Sequence, residues 1–129
     1  GAIVASGSLR LLFPAQADLG STHPQGGMLP SFLLEVILTF FLMFVILAIA
    51  TGSKERGVIA GIAVGSVICM AALVGGPISG ASLNPARSVG PALFSSTVGS
   101  LWLYLLAPCL GALLGVWGCR GVGTEGCCR

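Results

Sequence analysis

The chain has 129 residues, 55% of them hydrophobic and 8% charged, with a formal net charge of +2. A soluble domain carries about 25% charged residues, so this composition, with a mean hydropathy of +1.01, sets aside an ordinary globular core in favour of the membrane class. Six scattered Lys and Arg residues, with no basic arm, aromatic platform or phosphate loop, exclude a nucleic-acid binder.

Gly1 to Phe13 is apolar but only about 20 Å long as a helix, too short for about 30 Å of hydrocarbon. It reads as the C-terminal part of a span whose beginning is missing. No charged leader precedes it, so no signal peptide is expected. Pro14 to Pro30 holds Pro, Gly, Gln, Asp18 and His23 and reads as a water-exposed loop. His23, between Thr22 and Pro24, is expected to be a solvated loop residue.

Ser31 to Ala50 is the first full span, with Glu35 its one charged residue. Thr51 to Arg56 reads as a short polar turn. Gly57 to Gly75 is the second span, with Gly57, Gly61 and Gly65 at four-residue spacing, a small-residue face that lets helices approach closely. Gly76 to Leu83 is rich in Gly, Ser and Pro and is not expected to form a continuous helix. Asn84 to Phe94 is then a helix of roughly 16 Å, half a membrane, which Pro91 is expected to bend or end. Leu101 to Gly118 is the last span, with Gly111 and Gly115 again at four-residue spacing. A Gly-rich, disordered cytoplasmic tail is expected over 119–129.

The sharpest local signal is Asn84-Pro85-Ala86-Arg87. Asn caps free N–H groups at a helix start, and Pro fits the first helical position because its missing N–H would be an orphan there. An arginine among lipid-compatible segments is costly unless it faces a polar path. A capped helix start beside such an arginine reads as one wall of a pore. Its bland alternatives are an ordinary helix cap for Asn84 and an arginine snorkelling to the interface for Arg87.

These residues, with Gly-Pro-Ile-Ser-Gly-Ala-Ser-Leu before them and Ser-Val-Gly-Pro-Ala-Leu after them, resemble the second Asn-Pro-Ala box of the aquaporin, or major intrinsic protein, family. The resemblance runs from about Gly1 to Gly118. It is closest to the nodulin-like branch, through Gly7-Ser8-Leu9-Arg10-Leu11-Leu12-Phe13 and Gly61-Ile62-Ala63-Val64-Gly65. It implies an all-α membrane protein, the C-terminal half (1–118) of an inverted-repeat bundle: a partial span and two full spans with a re-entrant half-helix between them. It further implies a passive channel for water and small uncharged solutes, with glycerol or metalloid hydroxides plausible permeants. Ions and protons would be excluded. The lipid bilayer, an N-terminal half and a homotetramer of the full channel are the implied partners, and no cofactor is implied.

The resemblance also assigns roles. Asn84, with Pro85 and Ala86 behind it, would orient the permeant's oxygen at the positive end of the half-helix. Arg87 would line the outer constriction, and Gly80, Ala81, Ser82 and Leu83 would offer carbonyl acceptors. Ala72 and Ala81 would be two further constriction residues, both small, giving a wider and less polar opening than a histidine would. Ser88 stands where glycerol facilitators usually carry Asp. Glu35 would support the non-helical loop by accepting backbone N–H bonds; an interfacial glutamate is the alternative.

Lys54, Arg56, Arg120 and Arg129 fall on one side of these spans and Arg10 on the other, which makes residues 51–56 and the C-terminus cytoplasmic. Cys69 and Cys109 lie in apolar spans as small hydrophobes. The tail cysteines have no histidine near them, so no metal site is expected. Nothing pairs a nucleophile with a base, which disfavours a membrane enzyme. The competing function is a non-conducting half-channel or assembly module. A second Asn-Pro-Ala box upstream would separate it from a pore.

Overall fold

The computed structural model describes residues 1–50, 54–95 and 97–122. Five α-helices follow one another there: α1 (Ala2–Leu12), α2 (Met28–Ala50), α3 (Lys54–Ser79), α4 (Pro85–Phe94) and α5 (Leu101–Val122), the last entered through a 3₁₀ turn at Val98–Ser100. Three stretches, Met28–Ile49, Ile59–Ser79 and Val98–Val122, are long and apolar enough to cross a membrane. At ten residues α4 is about 15 Å long, half that depth. The architecture is that of an all-α membrane protein.

The long helices are apolar on every face, so periodicity does not choose their partners. In lipid the choice falls to close packing. α2 packs most extensively on α5, because α5 presents bare backbone to it. A Cβ on Gly111 would meet the Val36 carbonyl and lie 2.9 Å from Thr39 Cβ, and one on Gly115 would lie 2.9 Å from Met43 Cβ. Gly61 and Gly65 behave differently: no atom comes within 4 Å of where their Cβ atoms would stand. The expected close-approach face on α3 is therefore not used within the described residues, and Gly57 lies where no side-chain surroundings are described.

Several boundaries move from those expected. α2 starts at Met28, inside the stretch read as loop, because Pro30 falls in its first turn, where a missing N–H does no harm. Lys54–Arg56 belong to α3 rather than to a turn; residues 51–53 lie outside the described residues. α3 continues through Gly76, Pro77, Ile78 and Ser79, which the sequence reading left non-helical. Long-range bonds offset the helix breakers there. The Ile78 carbonyl accepts Ser31 Oγ at 3.0 Å and Gly26 N at 2.9 Å. Gly80, at φ +82°, folds its N–H back onto the Gly75 and Gly76 carbonyls, a left-handed C-terminal cap suited to glycine. Pro91 sits inside α4, which runs on to Phe94. α5 runs to Val122, so Cys119 is helical, buried and disulfide-bonded rather than part of a loose tail; residues 123–129 lie outside the described residues.

α4 is clamped between α1 and α5. Its C-terminal carbonyl, Phe94 O, accepts Arg10 Nη2 of the α1 end, a cation at the negative pole of the helix. The loop from Pro14 to Gly27 reaches both ends of α4, with Ser21 Oγ 2.6 Å from Ser95 Oγ at the C-cap. Thr22 packs 3.3 Å from where a Cβ on Gly80 would stand, and its hydroxyl lies 2.9 Å from Ser88 Oγ.

Candidate functional site

Asn84 is the N-cap of α4, in extended backbone at φ −152°. Its Oδ1 accepts Ala86 N at 2.9 Å and Arg87 N at 3.4 Å, with Pro85 at the first helical position. With the side-chain oxygen turned to the backbone, the NH₂ donor is the group left facing outward. Asn84, Ala86 and Arg87 are exposed at the half-helix start. An open groove of about 290 Å³ adjoins Leu83, Asn84 and Pro85, walled by Thr39, Leu42 and Met43 of α2 and by Cys109 and Ala112 of α5.

The loop before Asn84 is held from behind by Glu35. That carboxylate is 0% exposed and three donors converge on it. Oε1 accepts Ser79 Oγ at 2.7 Å and Ser82 N at 2.8 Å, and Oε2 accepts Leu83 N at 2.9 Å. Ser79 Oγ in turn accepts Ala81 N at 3.2 Å. A buried carboxylate is tolerated when charge-assisted bonds of this kind satisfy it.

The consequence for the loop is geometric. In a trans peptide the C=O of one residue points opposite to the N–H of the next. The N–H groups of Ala81, Ser82 and Leu83 all turn inward, so the carbonyls of Gly80, Ala81 and Ser82 turn away from Glu35. Such a run needs backbone that side chains rarely adopt: Gly80, Ala81 and Leu83 have φ of +82°, +44° and +52°. Left-handed φ at a non-glycine residue costs about 1–2 kcal/mol, which the buried bonds to Glu35 hold in place.

The structure thus brings together Glu35, Gly80, Ala81, Ser82, Leu83, Asn84 and the first turn of α4. The Ala81 methyl lies 3.5 Å from where a Cβ on Gly75 would stand. Ala72, exposed on α3, is one turn before Gly75 on the same side of that helix. Arg87 is exposed, as is Asn84. Among the described residues no three of His, Cys, Asp or Glu lie close enough together to hold a metal ion.

Three participants were not picked out by sequence reasoning: Ser79, Tyr104 and Thr22. Tyr104, 1% exposed, donates to the Ser79 carbonyl at 2.6 Å. A tyrosine in an otherwise apolar span, whose hydroxyl needs a partner when buried, was the available signal for it. The hydroxyls of Thr22 and Ser79 carried none.

Residues 1–118 match the family profile of the major intrinsic proteins. Over 118 residues the chain is 50% identical to Nodulin-26 of Glycine max and 48% identical to Aquaporin NIP1-1 of Zea mays. It is 44% identical over 125 residues to Aquaporin NIP1-2 of Arabidopsis thaliana. In each case 91% of this chain is covered, against 44%, 42% and 42% of the relative. The chain therefore spans less than half the length of these relatives.

Proposed function

The chain belongs to the major intrinsic protein family, and from that premise we propose that it forms one wall of a passive transmembrane path for water and small uncharged solutes. Residues 1–118 are the channel-forming part in this reading. The observation that carries it is the convergence of Ser79, Ser82 and Leu83 on buried Glu35, which turns three successive carbonyls away from the packed side. A permeant hydroxyl or water would donate to those carbonyls and accept from the Asn84 amide and the Arg87 guanidinium. Donors and acceptors in a row replace hydration without holding the solute tightly. The positive end of α4 and Arg87 repel cations, so ions and protons are excluded.

Ala72 and Ala81 keep the opening wide enough for glycerol-sized solutes or uncharged metalloid hydroxides. The charge distribution supports an orientation with residues 51–56 and the C-terminus in the cytoplasm.

A second reading is favoured by the openness of the groove beside Asn84: alone, the chain is a half-channel that conducts once a second half closes it. Stopped-flow osmotic shrinkage of vesicles separates the two. The full-length protein carrying this chain should raise water permeability well above empty vesicles without a cation current. Residues 1–129 alone should match empty vesicles if the second half is required. A cation current comparable to the solute flux would overturn the channel reading.

A further inference from the structure

Behind the loop 79–84 runs a line of buried hydroxyls that the path for solutes does not use. Ser82 Oγ lies 2.6 Å from Ser88 Oγ, and Ser88 Oγ lies 2.9 Å from Thr22 Oγ1. Apart from this line, the Tyr104 hydroxyl donates to the Ser79 carbonyl at 2.6 Å. Ser82, Ser88, Thr22 and Tyr104 are each at most 5% exposed. A hydroxyl has one proton to give and two lone pairs to accept with. Ser82 giving to Ser88 and Ser88 to Thr22 uses these hydroxyls in one direction, and bonds aligned this way polarise one another. The alternative acceptor for Ser82 Oγ, the Asn84 carbonyl at 3.0 Å, lies on the same loop.

The line meets the loop at Ser82 and Tyr104 meets it at Ser79, and both loop residues are also bound to Glu35 Oε1. Glu35 therefore fixes the N–H side of the loop, while Tyr104 fixes the carbonyl with which it leaves α3. The peptide plane between Ser79 and Gly80 is held by Tyr104 at its oxygen and by the Gly75 and Gly76 carbonyls at its N–H. Gly80 gives this plane little stiffness of its own. The geometry points to Tyr104 as a positioning residue for selectivity: its hydroxyl holds the Ser79 end of the loop, as Thr22 through Ser88 holds the Ser82 end, and so sets where the Gly80, Ala81 and Ser82 carbonyls stand. It touches no solute. The inference rests on the channel reading above for its link to selectivity, though not for its link to loop order.

The test is Tyr104→Phe in the full-length protein, which keeps the ring and removes the hydroxyl. Two quantities are read: the ratio of glycerol to water permeability in one vesicle preparation, and hydrogen exchange of the 79–84 amides. The ratio should change by about two- to tenfold, the range one hydrogen bond of ordinary net strength spans, and exchange should quicken. Thr22→Val, which removes the hydroxyl bonded to Ser88 and so frees the Ser82 end of the loop, should shift both in the same direction. The double variant should not shift them by the simple sum, because both hydroxyls act on one loop. A folded Tyr104→Phe protein with the parent ratio, or with parent exchange at 79–84, overturns the proposal. If Tyr104→Phe does not fold, Thr22→Val decides by the same two readouts. If the parent itself passes no water beyond empty vesicles, the channel reading fails, and the exchange comparison still decides whether Tyr104 positions the loop.

Discussion

Glu35 and Ser82, 47 positions apart in sequence, are joined by a 2.8 Å bond from the Ser82 backbone N–H to the Glu35 carboxylate. That bond ties the wall of one spanning helix to the loop that ends at Asn84. Because the C=O of one residue points opposite to the N–H of the next, it turns the Ala81 carbonyl away from Glu35.

Glu35→Gln should therefore destabilise the protein by about 1–3 kcal/mol. The amide nitrogen of Gln is a donor and would face one of the three donors that converge on the carboxylate. Glu35→Asp keeps the charge but falls short by one methylene, so its stability should be intermediate. Thermal unfolding in detergent checks both, and parent-like midpoints for the pair would remove Glu35 from this role.

Arg87→Ala should widen the constriction and take away a full positive charge beside Asn84. Glycerol, urea and proton uptake should all rise in vesicles carrying the variant. Unchanged discrimination in a correctly folded protein would exclude Arg87 from the filter.

Ala72→His should narrow the opening and add a polar group. Water flux should largely survive while glycerol flux falls. Paired uptake measurements on parent and variant decide it; a parent that excludes glycerol outright would mean that residues outside this chain dictate the size limit.

Thr39→Val tests the α2–α5 contact. The Thr39 hydroxyl is buried and has no hydrogen-bond partner among the described residues, while its Cβ packs against the bare backbone at Gly111. Valine keeps that shape and drops the unsatisfied hydroxyl, so stability should be unchanged or higher by about 1 kcal/mol. A loss of more than about 2 kcal/mol would show that the hydroxyl is engaged.

Much of this arrangement was legible from the residues. The apolar runs marked the spans, and Asn84-Pro85 marked the start of α4, because both are local signals: hydropathy over a window, and cap chemistry over two residues. The support role of Glu35 followed from the family resemblance and from the cost of a bare carboxylate in lipid. The helical turn through Gly76 and Pro77 was not legible, since it is secured by Ser31, Gly26 and Tyr104, which are distant in sequence. Nor did the pattern reveal that Gly111 and Gly115 meet α2 while Gly61 and Gly65 meet nothing described. Identical spacing carries no information on which neighbour arrives.

The left-handed backbone at Ala81 and Leu83 has a consequence for how the protein fails on heating. The loop is held in an unfavourable shape by a few bonds, whereas the helices keep their own ladders. The filter should therefore lose order before the helices do. On a temperature ramp, solute discrimination would collapse while circular dichroism still reported an intact bundle, leaving an interval in which the protein is folded but indiscriminate.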